Sequence, residues 1–409
     1  MKIIEPKIII ESNVDGDYIL KQIEKAGRTA YKSEDKITQD SAKDFVRMIR
    51  QRGHLSVIEH QSVTVRIICD RGVSHEIVRH RLASYTQEST RYCNYTEGKF
   101  GSEITVIKPC FWAENEEKYK VWEKTIKQIE TAYNKLIELG ASPQEARSIL
   151  PNSLKTEIVM TMNLREWVHF FTLRTSNAAH PQMREIAIPL LYEFQKQIPI
   201  IFDDLKIIMV IKREILFSKK RFTGFIEPSS IDFESIILSN YEWMQQENAE
   251  SNHSYKQPIG YTIICNPRLK KVFIYRRSSK DENYKEKRLQ GKYSCGVGGH
   301  IDIFDSSATN PITASTLREI SEEVDLKVSK NIKNIGYINN EDEVGSVHFG
   351  ILYIVETNAE NVTPIDSEIE NGEFVDIKKF EELCNNPNII FEEWAKIALE
   401  PIKKYLSVI

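Results

Sequence analysis

Residues 71–95 read RGVSHEIVRHRLASYTQESTRYCNY. Within them Arg79, His80 and Arg81 place three potential cations on consecutive positions. Consecutive side chains on a strand or loop point in different directions, so the trio can hold two anionic groups rather than one. Arginine suits that task because its planar fork grips phosphate through two parallel hydrogen bonds and never loses its charge. Ser89 and Arg91 lie two apart. An extended segment would turn both to one side, as a second clamp on a single phosphate. The same residues would equally make a solvated basic patch with a few i,i+4 pairs. Spacing alone leaves both readings open.

Outward from this stretch, the chain has 409 residues and a mass of 47.5 kDa. That is room for two or three domains of ~100–200 residues each. With 41% hydrophobic and 28% charged residues it falls in the ordinary globular range, not the disordered one. Fifty-five Lys and Arg against 59 Asp and Glu leave a net charge of −4, so no general attraction to a nucleic acid is expected and anion binding must be local. A non-catalytic nucleotide- or RNA-binding protein is the competing class, and basic residues confined to short motifs count against RNA. Cys69, Cys93, Cys110, Cys265, Cys295 and Cys384 form no CxxC pair and read as reduced, mostly buried thiols. The N-terminal residues fit no signal or transit peptide, and apolar runs such as residues 207–211 fall well short of the ~20 that a membrane helix needs. The expectation is a cytoplasmic chain with no membrane and no nucleic-acid partner.

Periodicity predicts helices over residues 116–139, 164–173 and 183–197, the first with an apolar face of Val121, Ile126, Ile129, Ala132 and Leu136. Residues 62–69 alternate like a strand with one buried face. From about residue 205 the texture changes. A β-rich stretch at 206–216 precedes a polar stretch at 245–253, strands at 259–265 and 271–275, a glycine cluster at 296–299, a helix at 313–323 and a strand at 347–356. We read two domains, 1–204 and 205–409, of overall α+β class.

The first domain resembles the flavin-dependent thymidylate synthases. Arg79-His80-Arg81, seven residues, then Ser89 matches that family's signature motif, and its whole context from 71 to 95 is similar. Upstream, Gly53-His54-Leu55-Ser56 followed by Glu59-His60 resembles the family's flavin-contacting segment. Downstream, Arg147, Asn163-Leu164-Arg165, His169 and Arg174 keep the family's order and spacing. The resemblance covers about residues 1–204 and implies an α/β domain of that family. It implies that reduced FAD takes the methylene of methylenetetrahydrofolate and delivers it to dUMP, with NADPH reducing the flavin. His54, Ser56, Arg79, His80, Arg81, Gln87, Asn163, Arg165 and His169 would then hold FAD. Glu76, Gln87, Ser89, Arg91, Arg147 and Arg174 would hold dUMP, and Arg174, as the catalytic cation, would stabilise the ionised uracil ring and polarise C5. The family is typically a homotetramer with sites at subunit junctions, so Arg147 and Arg174 would serve a neighbour's site. Because the flavin carries the redox chemistry, no protein nucleophile is needed. Cys93 is therefore expected to be a partly buried thiol, and Ser89 a ligand of phosphate or ring. The segment from Arg174 to His180 is slightly longer than the family spacing, so His180 is given no role.

The second domain offers the opposite charge. If residues 313–323 are helical, Glu319, Glu322 and Glu323 stand at i, i+3 and i+4 and share one face. Three such carboxylates call for a counter-charge, and Mg²⁺ or Mn²⁺ with oxygen ligands answers it. Arg318 would orient one carboxylate, and Gly299 would let a bare backbone carbonyl approach the ion. An exposed acidic helix face is the plainer alternative. This segment resembles the Nudix box: Arg318 to Glu323 matches its second half, while Asp305 stands where Glu is expected and the spacing to Arg318 is lengthened. Asp325 replaces the box's last glycine and, tolerating left-handed backbone, is expected to keep the turn. A last metal-ligating acid is sought among Glu341, Glu343, Glu356, Glu368, Glu370 and Glu373. The resemblance implies a Nudix-like α/β/α sandwich in which Glu322 and Glu323 act catalytically on a nucleoside diphosphate joined to another group. A binding module that has kept the fold and lost catalysis remains the alternative. Hydrolysis of dUTP would supply dUMP to the first domain, and oxidised nucleotides or a dinucleotide fit the residues equally well.

Overall fold

The computed structural model describes residues 1–96, 98, 103–278, 287–325, 332–365 and 369–408. They form two compact units, Met1–Leu205 and Lys206–Ile409, both mixing helices with sheet in an α+β manner.

In the first unit β1 (Lys7–Ile10), β2 (Ser62–Asp70), β3 (Ala83–Gln87) and β4 (Lys155–Asn163) form an antiparallel sheet in the order β1-β2-β4-β3. Every second residue of the central strands is buried, with Val65 opposite Met160 and Ile67 opposite Ile158. That period of two is what a sheet covered on one face requires. A helix follows each central strand with no intervening loop. α1 (Arg71–Ile77) starts at Asp70, whose carboxylate accepts from the Val73 amide at 2.7 Å. α2 (Leu164–Arg174) starts at Asn163, whose side-chain oxygen accepts from the Glu166 amide at 2.9 Å. Because β2 and β4 are antiparallel, the two helices begin at opposite ends of the sheet. Residues 79–81 come just before Ala83, which pairs with Met162 beside the Asn163 cap, so they lie at the end where α2 begins.

Trp167 fastens α2 to the sheet by donating from Nε1 to the Val63 carbonyl at 3.1 Å. Its ring lies 4.8 Å from that of Phe194 in α3 (Pro181–Gln197), within a cluster that includes Phe170, Phe171 and Phe202. Burying each such ring stabilises by about 1.5–3 kcal/mol as an upper figure. The long helix Glu117–Glu138 differs in part from the expected face. Tyr119, Ile126 and Tyr133 are its buried residues, whereas Val121 and Ala132 face solvent. The expected Ile126 is buried and Ile129 and Leu136 pack against the same core, while the bulky Tyr119 and Tyr133 take the places expected for Val121 and Ala132.

In the second unit the central strand β6 (Tyr255–Asn266) is buried from Lys256 onward. Four strands adjoin it: β5 (Ile207–Lys212), β7 (Lys271–Arg277) and β8 (Gly296–Val297), all antiparallel, and β10 (His348–Glu356), parallel from Gln257 opposite His348 to Cys265 opposite Glu356. β9 (Lys333–Asn339) extends the sheet beyond β10 and β11 (Ile369–Asp376) beyond β7. Successive residues of β6 enter different cores. Ile263 packs with Ala395, Ala398 and Ile402 of α5 (Glu393–Val408), and Ile264 packs with Ile320 of α4 (Pro311–Glu323). Helices thus cover both faces, which explains a strand that is apolar on both sides rather than alternating. Gly298, with φ of +152°, lies so close to β6 that an added Cβ would stand 2.0 Å from the Gly260 carbonyl oxygen.

Three local expectations change. The stretch at 206–216 is β5 followed by the short helix Arg213–Leu216, and the polar stretch at 245–253 contains the short helix Gln246–Glu250. Asp325 is not left-handed: α4 ends at Glu323, and Val324–Asp325 is a short strand paired with Thr363–Pro364. Among the described residues, no helix is long and apolar enough to cross a membrane.

Candidate functional site

His80 is the inward member of the cationic trio. It is 4% exposed, whereas Arg79 and Arg81 lie on the surface and make no ion pair among the described residues. Arg174, at the end of α2, donates from Nε to His80 Nε2 at 3.0 Å. A guanidinium only donates, so His80 Nε2 must accept and the ring proton sits on Nδ1. Nδ1 then donates to Glu166 Oε1 at 3.1 Å. Burial, helped by the nearby Arg174 charge, outweighs the Glu166 carboxylate and holds the imidazole below its usual range. The expected row of three cations is therefore two exposed guanidiniums flanking a neutral histidine. Arg79 and Arg81 are a fitting donor set for a diphosphate, the anionic part of a dinucleotide cofactor such as FAD.

Arg174 is positioned further by Glu76 in α1, donating to its carboxylate at 3.2 Å and to its backbone carbonyl at 3.1 Å. Those three contacts use three of its five N–H donors. His169 is exposed beside this group, its ring 5.6 Å from that of His80. Glu76, His80, His169 and Arg174 thus come together, and Gln87 is joined to α1 by donating to Ser74 Oγ at 2.9 Å.

The other candidate residues form two further groups. Ser89 and Arg91 are not in an extended segment: β3 ends at Gln87, and the Ser89 hydroxyl accepts from the Arg91 amide inside a turn. The turn forms because a short hydroxyl competes well for a nearby backbone N–H, and it replaces the expected same-side clamp. Arg147 reaches this turn through Thr90 Oγ1 at 3.4 Å. His54 pairs with the Tyr31 hydroxyl at 2.9 Å, and the neighbouring Ser56 is exposed. Arg165 pairs with Glu59 at 2.5 Å. Asn163 spends its side-chain oxygen on the α2 cap. His180 caps α3 and its ring packs on Phe111, 5.4 Å away. Cys93 is buried in a core with Tyr95 and Tyr133.

Sequence reasoning missed Glu166. Its signal was present in the helical spacing, since Glu166 and His169 are i and i+3 on the helix that Asn163 opens.

The chain matches the family model described as Thymidylate synthase complementing protein over residues 17–200. Among curated relatives it is 37% identical to the flavin-dependent thymidylate synthase of Pyrococcus furiosus, over 42% of this chain and 70% of that protein. It is 32% identical to that of Mycolicibacterium vanbaalenii, over 50% of this chain and 86% of that protein. The chain belongs to the flavin-dependent thymidylate synthases. Two solved structures are also similar. The UMP/dUMP methylase PolB of Streptomyces cacaoi, bound with 5-Br dUMP, has a TM-score of 0.42 at 22% identity, covering 50% of this chain and 96% of its own. Tm1382, described as a candidate Nudix hydrolase, has a TM-score of 0.41 at 23% identity, covering 50% of this chain and all of its own. Overlays this loose establish neither fold nor activity. The family match lies within the first unit and leaves the second unassigned.

In that second unit Arg318 of α4 joins three carboxylates: Asp305 at 3.0 Å, Glu319 at 2.7 Å and Glu322 at 3.1 Å. Part of the counter-charge expected from a metal is therefore supplied by the helix's own arginine. The lengthened segment does not separate Asp305 from Arg318, because residues 303–307 form a helical turn and α4 starts early, at Pro311. Glu323 accepts from the Gly298 amide at 3.2 Å. A Cβ on Gly299 would stand 2.7 Å from the Glu319 carboxylate. Burial pushes the Glu319 carboxyl above its usual range against the pull of Arg318. Around the cradle beside Gly299, Glu319, Glu322 and Glu323 do not form, among the described residues, a group whose carboxylate oxygens all lie within 4.8 Å of one another. Of the acids considered as a further ligand, Glu341 pairs with Arg213, Glu356 accepts from Tyr405, Glu370 lies by Arg276 and Glu373 by Lys379. The Glu343 carbonyl accepts from Arg288, and Glu368 lies outside the described residues.

Proposed function

We propose that the first unit methylates dUMP to dTMP, with FAD as cofactor, methylenetetrahydrofolate as carbon donor and NADPH as reductant. Membership of the flavin-dependent thymidylate synthases supports this, and the observation that carries it to residues is the Glu166–His80–Arg174–Glu76 chain. The flavin supplies the redox chemistry when bound. Arg79 and Arg81 would hold its diphosphate, with His54, Ser56, Gln87, Asn163, Arg165 and His169 nearby on the same unit. Neutral His80 passes the orienting effect of Glu166 to Arg174, whose remaining N–H donors and fixed charge would stabilise an ionised uracil. Ser89, Arg91 and Arg147 form the phosphate-facing group, while Glu76 holds Arg174 and Gln87 offers its carbonyl. The assembly we propose is a homotetramer in which Arg147 and Arg174 complete a neighbour's site.

Purified protein should be yellow, absorbing at roughly 450 nm as flavins do. It should form dTMP from dUMP only with both folate and reductant present. Colourless protein that cannot be loaded with FAD would reject the reading.

For the second unit we propose a Nudix-like pyrophosphohydrolase acting on a nucleoside diphosphate derivative. The observation favouring it is the hold of Arg318 on Asp305, Glu319 and Glu322 beside the Gly299 cradle. Glu319, Glu322, Glu323 and the Gly299 carbonyl would bind Mg²⁺ or Mn²⁺, and such an ion activates water and neutralises phosphate charge. A substrate screen that includes dUTP, run with Glu322→Gln and Glu323→Gln, tests this. Turnover that these variants leave unchanged would leave a nucleotide-binding module in its place.

A further inference from the structure

The second unit gathers a further set of donors that neither proposed activity uses. His300, His348 and Glu250 each turn one ligand atom inward, all within 4.8 Å of one another. Sheet register creates the cluster. Gln257 of β6 stands opposite His348 of β10, and His300 bridges Ile259 two residues further along β6. Glu250 closes the group from the end of the short helix Gln246–Glu250.

We propose that Glu250, His300 and His348 bind a divalent transition-metal ion of the zinc or cobalt type. Two nitrogens each about 2.0 Å from a tetrahedral metal lie about 3.3 Å apart. The His300 and His348 Nε2 atoms are 3.3 Å apart. Glu250 Oε1 is 3.6 Å from the first and 3.9 Å from the second, so a small contraction completes three corners of a tetrahedron. The outer contacts that metal ligands ordinarily need are already in place. His348 Nδ1 faces the Val344 carbonyl at 2.8 Å, and a carbonyl only accepts, so Nδ1 carries the proton and Nε2 presents a lone pair. The second oxygen of Glu250 accepts from Arg288 at 3.2 Å.

Gln257 supplies an independent pointer. Gln257 is 1% exposed, and its Oε1 lies 2.7 Å from His300 Nε2; an amide oxygen only accepts, so that nitrogen carries a proton which it gives up when a metal binds. The Gln257 Nε2 is buried with no hydrogen-bond partner among the described residues. An unsatisfied buried amide is destabilising, and a water or other ligand in the fourth metal position would relieve it. The imidazole donors separate this site from the all-oxygen set proposed at Glu319 for Mg²⁺. The proposal stands whether or not the second unit is a hydrolase.

The test uses the full flavin-loaded chain, stripped with chelator and titrated with Co²⁺ alone and Zn²⁺ alone. One equivalent of Co²⁺ should give the intense long-wavelength visible absorption of four-coordinate cobalt, and Zn²⁺ should abolish it. His348→Ala and Glu250→Gln should each weaken binding by 100-fold or more, while Glu323→Gln and His169→Ala leave it unchanged. If His348→Ala fails to fold, Glu250→Gln, at the end of a short surface helix, decides the matter. Absence of the four-coordinate spectrum, or equal affinity in the Glu250 and His348 variants, would overturn the proposal.

Discussion

Replacing His80 with Gln tests the neutral state on which the first site depends. A Gln side chain carries a donor and an acceptor, so it can still give a hydrogen bond to Glu166 and take one from Arg174. What it cannot do is titrate. In the folded chain burial holds the His80 imidazole below its ordinary range. The unfolded chain takes up that proton near pH 6.5. Above that pH neither state is protonated, and the substitution costs only its packing loss against Phe170, whose ring lies 5.0 Å from His80. Below it the unfolded state binds a proton that the folded state refuses. The natural chain then loses stability at up to about 1.4 kcal/mol per pH unit, and the Gln variant does not share this loss. The readout is hydrogen exchange of β4 amides in natural and variant chains at pH 7.5, 6.5 and 5.5, compared at each pH so that intrinsic rates cancel. These amides lie within the first unit, so they report on it rather than on the mixed transition of a two-unit chain. The ratio of protection factors should move towards the variant by up to about tenfold between pH 7.5 and 5.5, about half of that factor arising below pH 6.5. A ratio constant across the range, or one moving the other way, would refute a neutral His80.

Arg174→Lys keeps the charge but cannot reproduce the three-way hold on His80 and Glu76. It should lower kcat/KM for dUMP by about 10–100-fold, the worth of one or two charge-assisted hydrogen bonds, in steady-state assay. Glu185 has an oxygen buried without a partner among the described residues, and burial, Glu5 and Asp70 push its carboxyl up to about 7. Its raised value means that stability is present below pH 4.5 and lost as pH rises through 7. Glu185→Gln should therefore stabilise the first unit by about 1–2 kcal/mol at pH 8, discounted for partial solvent screening, and by nothing at pH 4, in the same exchange experiment. Gly299→Ala places a methyl 2.7 Å from the Glu319 carboxylate. It should cost about 1–3 kcal/mol and weaken Mg²⁺ binding, read by calorimetry on the full chain.

What was legible in the sequence was what local chemistry decides. The alternation of residues 62–69 and the helix at 164–173 depend on periodicity and a capping side chain, and both lie where that pattern puts them. What was not legible depended on partners distant in sequence. His80 reads as a cation beside two arginines, and its burial, helped by the charge of Arg174 94 residues away, makes it neutral against the pull of Glu166. The Ser89 turn went unseen because a backbone amide two residues on outcompeted the strand. Glu250, His300 and His348 carry no motif at all, since sheet register and a helix end bring them together.

These partners also revise the charge argument. Read as a list, the first unit offers phosphate a row of arginines and the second a row of carboxylates. In the folded chain Arg165 is answered by Glu59, Arg174 by Glu76, and Glu319 and Glu322 by Arg318. Such pairs position side chains more than they attract ligands, because each has given up part of its field to its neighbour. Of the candidate arginines in the first unit, those left to recruit an anion are the exposed ones without an ion pair among the described residues: Arg79, Arg81, Arg91 and Arg147. The binding motif therefore divides its labour by burial. Its outer residues supply charge, and its inner residue, stripped of charge, supplies direction.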